Sequence, residues 1–365
     1  MSASASGSLT DPSAPLVDGG GPRGVSASDS YPDSQTSSRD LREGGRWGRR
    51  QALKNAALRA LIVSLLWLAD RAPRRALIAL LGAAGALAHR LAGGLRRRAE
   101  AQLELAGLEA DAARRAELAR ACFRHAGESL ARSLLLRRPG DTEVVVDGAS
   151  ERCLLEALAE GRGVVFVSPH LGPFECLAAR VAELCRAAGA PAPAIVVRES
   201  YDPALDRHVD AHRERRGLWV IHRGKPGATT RIVRALKQGR AVGFLPDLPG
   251  RARRGAVRWF GGEGAIAVGP ARIAARAGAP LVLGHLTPRG EAFQLCMRRI
   301  EAPESAASQA ARAEALSQGL AEALEAAIRQ APAHWLWMAA DLRAGRAPTS
   351  NARAADDTRI SPEVG

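Results

Sequence analysis

Residues 161–178 read "GRGVVFVSPHLGPFECLA", an apolar run followed by one histidine and, five positions later, a glutamate. Residues 164–168 have the length and β-branched content of a buried strand, Gly172 and Pro173 supply turn chemistry, and a helical apolar period begins near Glu175. A strand, a turn carrying His170 and a helix are therefore predicted. Similar apolar runs recur at 194–198, 218–223, 241–247 and 280–286, with helical periods over 175–188 and 229–238. These runs are continuously apolar instead of alternating, the pattern of strands covered on both faces. The fold class is α/β: a mainly parallel sheet with flanking helices.

Polar residues stand at the ends of these runs: His170, Arg198, Arg223 and Asp247, with His285 inside the last. Open parallel sheets build their sites outside the carboxyl ends of the strands, so these groups are candidates for one crevice. The turn at Gly172 and Pro173 would let Glu175, in the first turn of the next helix, return to the imidazole of His170. An ion pair between Arg198 and Asp247 in the scaffold is the structural alternative for that arginine. Arg213, Arg215 and Arg216 lie in "HRERRG", and at least one of them is expected to be a solvated helix charge.

The formal net charge of +14 favours anionic partners such as phosphate groups, anionic lipid or an acidic protein. Few aromatics interleave the basic patches, which argues against nucleic acid. Five scattered cysteines, none in a CxxC pair, read as small core residues and not as a disulfide framework or a zinc site. His208 and His212 have i,i+4 spacing without an HExxH pattern, so no metal is expected. "HRGKPGATT" at 222–230 lacks P-loop spacing, and Ser168 is outside a GxSxG context, so neither nucleotide binding nor a serine nucleophile is expected.

Residues 1–45 are rich in Ser, Gly, Asp and Pro without apolar period, and a disordered tail is expected there, as at 346–365. The start has neither the basic leader nor the apolar block of a secretory signal. Residues 46–95 carry two apolar segments, 58–69 and 76–88, bracketed by arginines. As helices each would be about 18–20 Å long, short of the roughly 30 Å hydrocarbon core. They read either as a buried hairpin or, preferred, as a membrane-anchoring helical segment on an anionic surface, with Trp47 and Trp67 at interfacial depth. A helical stretch follows to about residue 136, closed by the turn "RRPGD", and residues 96–345 make up the α/β domain.

These residues resemble a known family. "GVVFVSPHLGPFE" is similar to the HxxxxE motif of the lauroyl/myristoyl lipid A acyltransferases, within the wider lysophospholipid acyltransferase superfamily. "VVRESYDPALDRHVDAHRERRGLWVIHR", "RIVRALKQGRAVGFLPD", "ARIAARAGAPLVLGHL" and "PAHWLWM" continue the similarity in order, over about residues 46–343. The chain departs from that pattern at Pro173 and Phe174, at Asp202 and Pro203, after Asp247, and at residues 338–341, positions that bear on the acceptor pocket.

The resemblance implies a membrane-associated O-acyltransferase at the cytoplasmic face of a bacterial inner membrane, needing no cofactor. The co-substrate would be a thioester of acyl carrier protein or coenzyme A. The acceptor would be a lipid A precursor, with another glycolipid or a lysophospholipid as the alternative. A non-catalytic lipid-binding protein on the same scaffold is the other class of reading. For acyl transfer, His170 is expected to act as general base, with Glu175 fixing its tautomer. Arg198, Arg213, Arg223 and Asp247 are the expected substrate-binding residues, Arg198 through a fork geometry suited to phosphate or a developing oxyanion.

Overall fold

The computed structural model describes residues 48–136, 143–198, 203–250 and 252–343. Both expected disordered tails, Trp47, the turn "RRPGD" and Asp202 lie outside the described residues. Four helices open the described residues: α1 (Arg49–Ala69), α2 (Arg74–Leu91), α3 (Gly93–Leu105) and α4 (Ala112–Leu135). The α/β part continues with β1 (Val144–Val146), α5 (Gly148–Ala159), β2 (Val164–Val167), α6 (Phe174–Ala187), β3 (Ala194–Arg198), α7 (Pro203–Glu214), β4 (Trp219–Arg223), α8 (Ala228–Lys237) and β5 (Ala241–Phe244). It ends with the hairpin β6 (Arg254–Trp259) and β7 (Gly262–Ala267), then α9 (Gly269–Ala277), β8 (Leu281–Arg289), β9 (Ala292–Ile300) and α10 (Gln309–Gln330).

Seven strands form one sheet in the order β1-β9-β8-β2-β5-β3-β4, parallel except for the β8–β9 pair. β2 is central, and all its residues are buried. Successive side chains of a strand face opposite ways, and β2 shows what that does here. Val165 and Val167 join the core formed with α8, α9 and α10, while Val164 and Phe166 join the core formed with α5 and α6. The mainly parallel α/β sheet expected from continuous apolar runs is present. Its strands β1 and β9, and the β6–β7 hairpin outside it, match no apolar run singled out in the sequence.

The apolar N-terminal segments part company. α1 is 21 residues long, because the helix extends back through Arg59, Lys54 and Arg50. At 1.5 Å per residue that is about 31 Å, enough to cross a bilayer core. Within it only Ala69 is buried; Leu53, Leu58, Leu61 and Trp67 are exposed, and Arg71 sits over the Trp67 ring at 4.3 Å. An apolar helix with so little protein cover fits a lipid environment. α2, grouped with α1 in the sequence reading, instead packs along α4, with Leu77 buried against Ala131 and Leu135.

Glycines set that approach. A methyl group on Gly127 of α4 would overlap the carbonyl oxygen of Leu81, and one on Gly85 of α2 would overlap that of Phe123. In an isolated helix Gly127→Ala would gain up to about 1 kcal/mol. Here the overlap with backbone should cost about 1–3 kcal/mol, as overpacking does. The expected outcome is a lower melting temperature for Gly127→Ala by circular dichroism in detergent. A stabilised variant would show that α2 and α4 do not approach this closely.

Candidate active site

The loop after β2 carries Ser168, Pro169 and His170 past the carboxyl end of the sheet, beside the loop leaving β5 with Asp247. His170 Nδ1 lies 2.8 Å from Asp247 Oδ1, and the His170 backbone N–H donates to Asp247 Oδ2 at 2.8 Å. The indole N–H of Trp335 donates to the same Oδ2 at 2.7 Å. Asp247 is completely buried, whereas the His170 side chain keeps 22% of its surface exposed. A carboxylate so deeply placed needs its lone pairs satisfied, and three donors do this.

Trp335 is held in turn. Leu171 and Trp335 form an antiparallel bridge, and Gly172 N–H donates to His334 O at 2.9 Å. Gly172 has φ of 60°, which a residue with a Cβ adopts only with strain, so the glycine lets the histidine loop turn back. Trp335 and Trp337 are fully buried and meet edge to face at 4.6 Å. The imidazole of His170 is backed by Phe174, edge-on at 5.2 Å.

Glu175 is elsewhere than expected. Its carboxylate takes hydrogen bonds from Arg213 Nη2 at 2.6 Å and Nε at 3.2 Å, and it acts on His170 only through its charge. Glu175 opens α6 and Arg213 ends α7, so the ion pair ties two helices across the strand ends. Arg213 also lies 3.9 Å from Asp210, which accepts from His222 Nε2 at 2.7 Å. Asp247, expected among substrate-binding residues and as a structural partner of Arg198, is the group that orients His170. Sequence reasoning missed Trp335, although "HWLW" was noted, and also Asp210 and His222; an indole beside a buried carboxylate is a contact made only by the tertiary fold.

Arg198 and Arg223 face each other in register at the ends of β3 and β4. Burial and the charge of Arg198 lower the Arg223 pKa. The Arg223 guanidinium reaches the Gly250 segment that follows Asp247. Arg216 is almost fully buried and donates to His212 O, while Arg215 is exposed. His285 is not at the crevice: it sits within β8, buried, with Nε2 3.1 Å from Gln330 Oε1. His212 bonds Ser133 O at 2.9 Å, and burial and then Arg216 push its pKa down to about 4. Among the described residues no cluster of His, Cys, Asp and Glu has metal-binding geometry.

A narrow apolar cleft of about 90 Å³ opens beside the pair, between α6 and strands β3 and β5. Phe166, Leu177, Val181, Ile195 and Leu218 line it, with Ser168, Glu175 and Arg213 also contributing. The arrangement provides an oriented imidazole, cations at two strand ends and an apolar slot.

Residues 49–343 match the family model of the bacterial lipid A biosynthesis acyltransferases. No curated protein matches the chain.

Burial alone pulls the His170 pKa down from its ordinary 6.5, but the charge and hydrogen bond of Asp247, then the charge of Glu175, outweigh it and the net direction is up. Burial would raise Asp247 above 3.8, but His170 and the Trp335 bond bring it below. For the raised histidine, stability is fully present below 6.5 and is lost as pH rises through the folded value. For the depressed aspartate, stability is present above 3.8 and is lost as pH falls. Melting temperature should therefore be highest between these limits, and Asp247→Asn should flatten the profile and lower the His170 pKa measured by NMR. An unchanged His170 titration in a folded Asn variant would separate the two side chains.

Proposed function

The chain belongs to the bacterial lipid A biosynthesis acyltransferase family, and from that premise we propose that it moves a fatty acyl group from a thioester to a hydroxyl of a lipid A precursor or related glycolipid. The observation that carries the mechanism is the His170–Asp247 contact at 2.8 Å. With Nδ1 turned to Asp247, Nε2 is the ring nitrogen that takes the acceptor proton. The alkoxide oxygen bonds to the thioester carbon as the proton moves to Nε2. The tetrahedral oxyanion then collapses, the C–S bond breaks, and the leaving thiolate recovers the proton from the imidazolium.

Asp247 stabilises that imidazolium, and Trp335 keeps the carboxylate oriented. Arg198 and Arg223 hold a phosphate of the acceptor, their forked guanidinium groups matching its oxygens. Glu175 acts through Arg213, fixing it near the cleft, and does not act as the histidine's partner. The acyl chain enters the apolar cleft. At about 90 Å³ this slot is smaller than a typical ligand pocket of about 300–1,000 Å³, so entry spreads α6 from the strands. α1 anchors the enzyme in the inner membrane with the site at the cytoplasmic face, where acceptor and thioester meet.

Three experiments test this. Mass spectrometry of membrane lipids with and without the protein should show the loss of one acyl group from a glycolipid; a loss from phospholipid alone would redirect the acceptor assignment. His170→Ala should lower turnover by about 10²–10⁴-fold with little change in binding. Asp247→Asn should lower it severely too, while Glu175→Gln should do less than either. Equal and near-normal turnover in all three would sink the mechanism. For the cleft, Val181→Phe should shift preference toward shorter acyl chains, read from the masses of the products; an unchanged chain length would remove the cleft from the acyl path.

A further inference from the structure

A second concavity, about 1610 Å³, lies away from the cleft, between α8, α9, the β6–β7 hairpin and the start of α10. Its floor is apolar, with Val233, Leu236, Val268 and Ile273. Exposed Lys237, Arg253, Arg272 and Arg276 stand along it. None of these four has an acidic partner among the described residues, and Glu314 is the one acidic side chain lining the groove. One end is at Arg253, on the segment that leaves Asp247; the far end is at Lys237 and Arg276, at the C-terminal ends of α8 and α9.

We propose that this groove docks an acidic amphipathic helix of the carrier protein that delivers the acyl thioester. The inference rests on the acyl-transfer reading for the identity of the cargo, and on the groove for the partner's chemistry. α8 is ten residues long, about 15 Å, which gives a floor for a helix of about three turns. Cations spaced along both walls suit carboxylates repeated on one helix, whereas a single phosphate would engage only one or two of them. The floor offers no aromatic platform for bases, which disfavours nucleic acid.

A bilayer is a poor occupant for a concave surface, and α1 is on the other side of the sheet. The β3-to-β4 and β4-to-β5 crossovers run in opposite directions, so right-handed connections put α7 and α8 on opposite faces. α1 packs on α4 and α7. The protein thus presents its apolar anchor on one side and its basic groove on the other, which leaves the groove open to a soluble partner. A helix docked there places its protein beside the segment that leaves Asp247, from which a flexible pantetheine arm extends to His170.

The test uses the full chain in detergent, with Lys237→Glu, Arg272→Glu and Arg276→Glu combined. Binding of unacylated acyl carrier protein, and KM for its acylated form, should weaken about tenfold or more at low salt, with the gap closing as salt rises. Turnover with an acyl-pantetheine fragment, and the melting temperature, should be unchanged. Wild-type carrier binding by the variant would overturn the proposal, as would an equal loss with both donors. Loss of binding to anionic phosphatidylglycerol vesicles with carrier binding intact would also overturn it, marking the groove as a bilayer contact. If the wild-type protein binds carrier through the groove but transfers acyl groups from no thioester, the docking proposal stands and the acyl-transfer reading fails.

Discussion

A carboxylate with no exposed surface organises this molecule. Asp247 retains its charge in the interior only because His170 offers two donors and Trp335 a third. Hydrogen bonds to a charged group contribute about 1.5–3 kcal/mol each, and stripping one partner from a buried charge costs more. The three donors come from the β2 loop and the segment after α10, and the acceptor from the β5 loop. The interaction therefore fixes the mutual placement of three chain segments far apart in sequence.

The sheet and the ion pairs around it serve that placement. β2 is hydrogen-bonded to β5 on one side and β8 on the other, so its exit is held from both sides. Glu175 and Arg213 lock α6 to α7 beside it, and Asp210 and His222 extend the chain of contacts to β4. The arginines at the ends of β3 and β4 stand on this frame, whereas α1 has little protein contact and depends on its surroundings.

Much of the frame was legible in the sequence, because buried parallel strands leave continuous apolar runs. The runs at 164–168, 194–198, 218–223 and 241–247 became β2, β3, β4 and β5, and the helical periods between them became α6 and α8. β1 has three residues, too few for a pattern. β9 is interrupted by Gln294, Arg298 and Arg299, and β6 carries Arg254 and Arg258, so neither shows a continuous apolar run. At the candidate site, His170 and the arginines at strand ends were visible, since a strand end is a local feature. The partner of His170 was not: proximity in sequence favoured Glu175, but two loops of adjacent strands bring Asp247 closer. α1 is longer than the apolar segment at 58–69 because the helix continues through Arg59, Lys54 and Arg50, whose long side chains can carry their charge away from an apolar surface.

The bridge between Leu171 and Trp335 has a consequence for biogenesis. α1 leaves the ribosome well before Trp335, which lies near the end of the described residues. Until Trp335 emerges, the histidine loop lacks its backing and Asp247 lacks its third donor. The apolar helix is thus complete long before the candidate site can assemble. A chain stalled or cleaved ahead of Trp335 would carry α1, the helix long and apolar enough to cross a membrane, without the assembled His170–Asp247 contact.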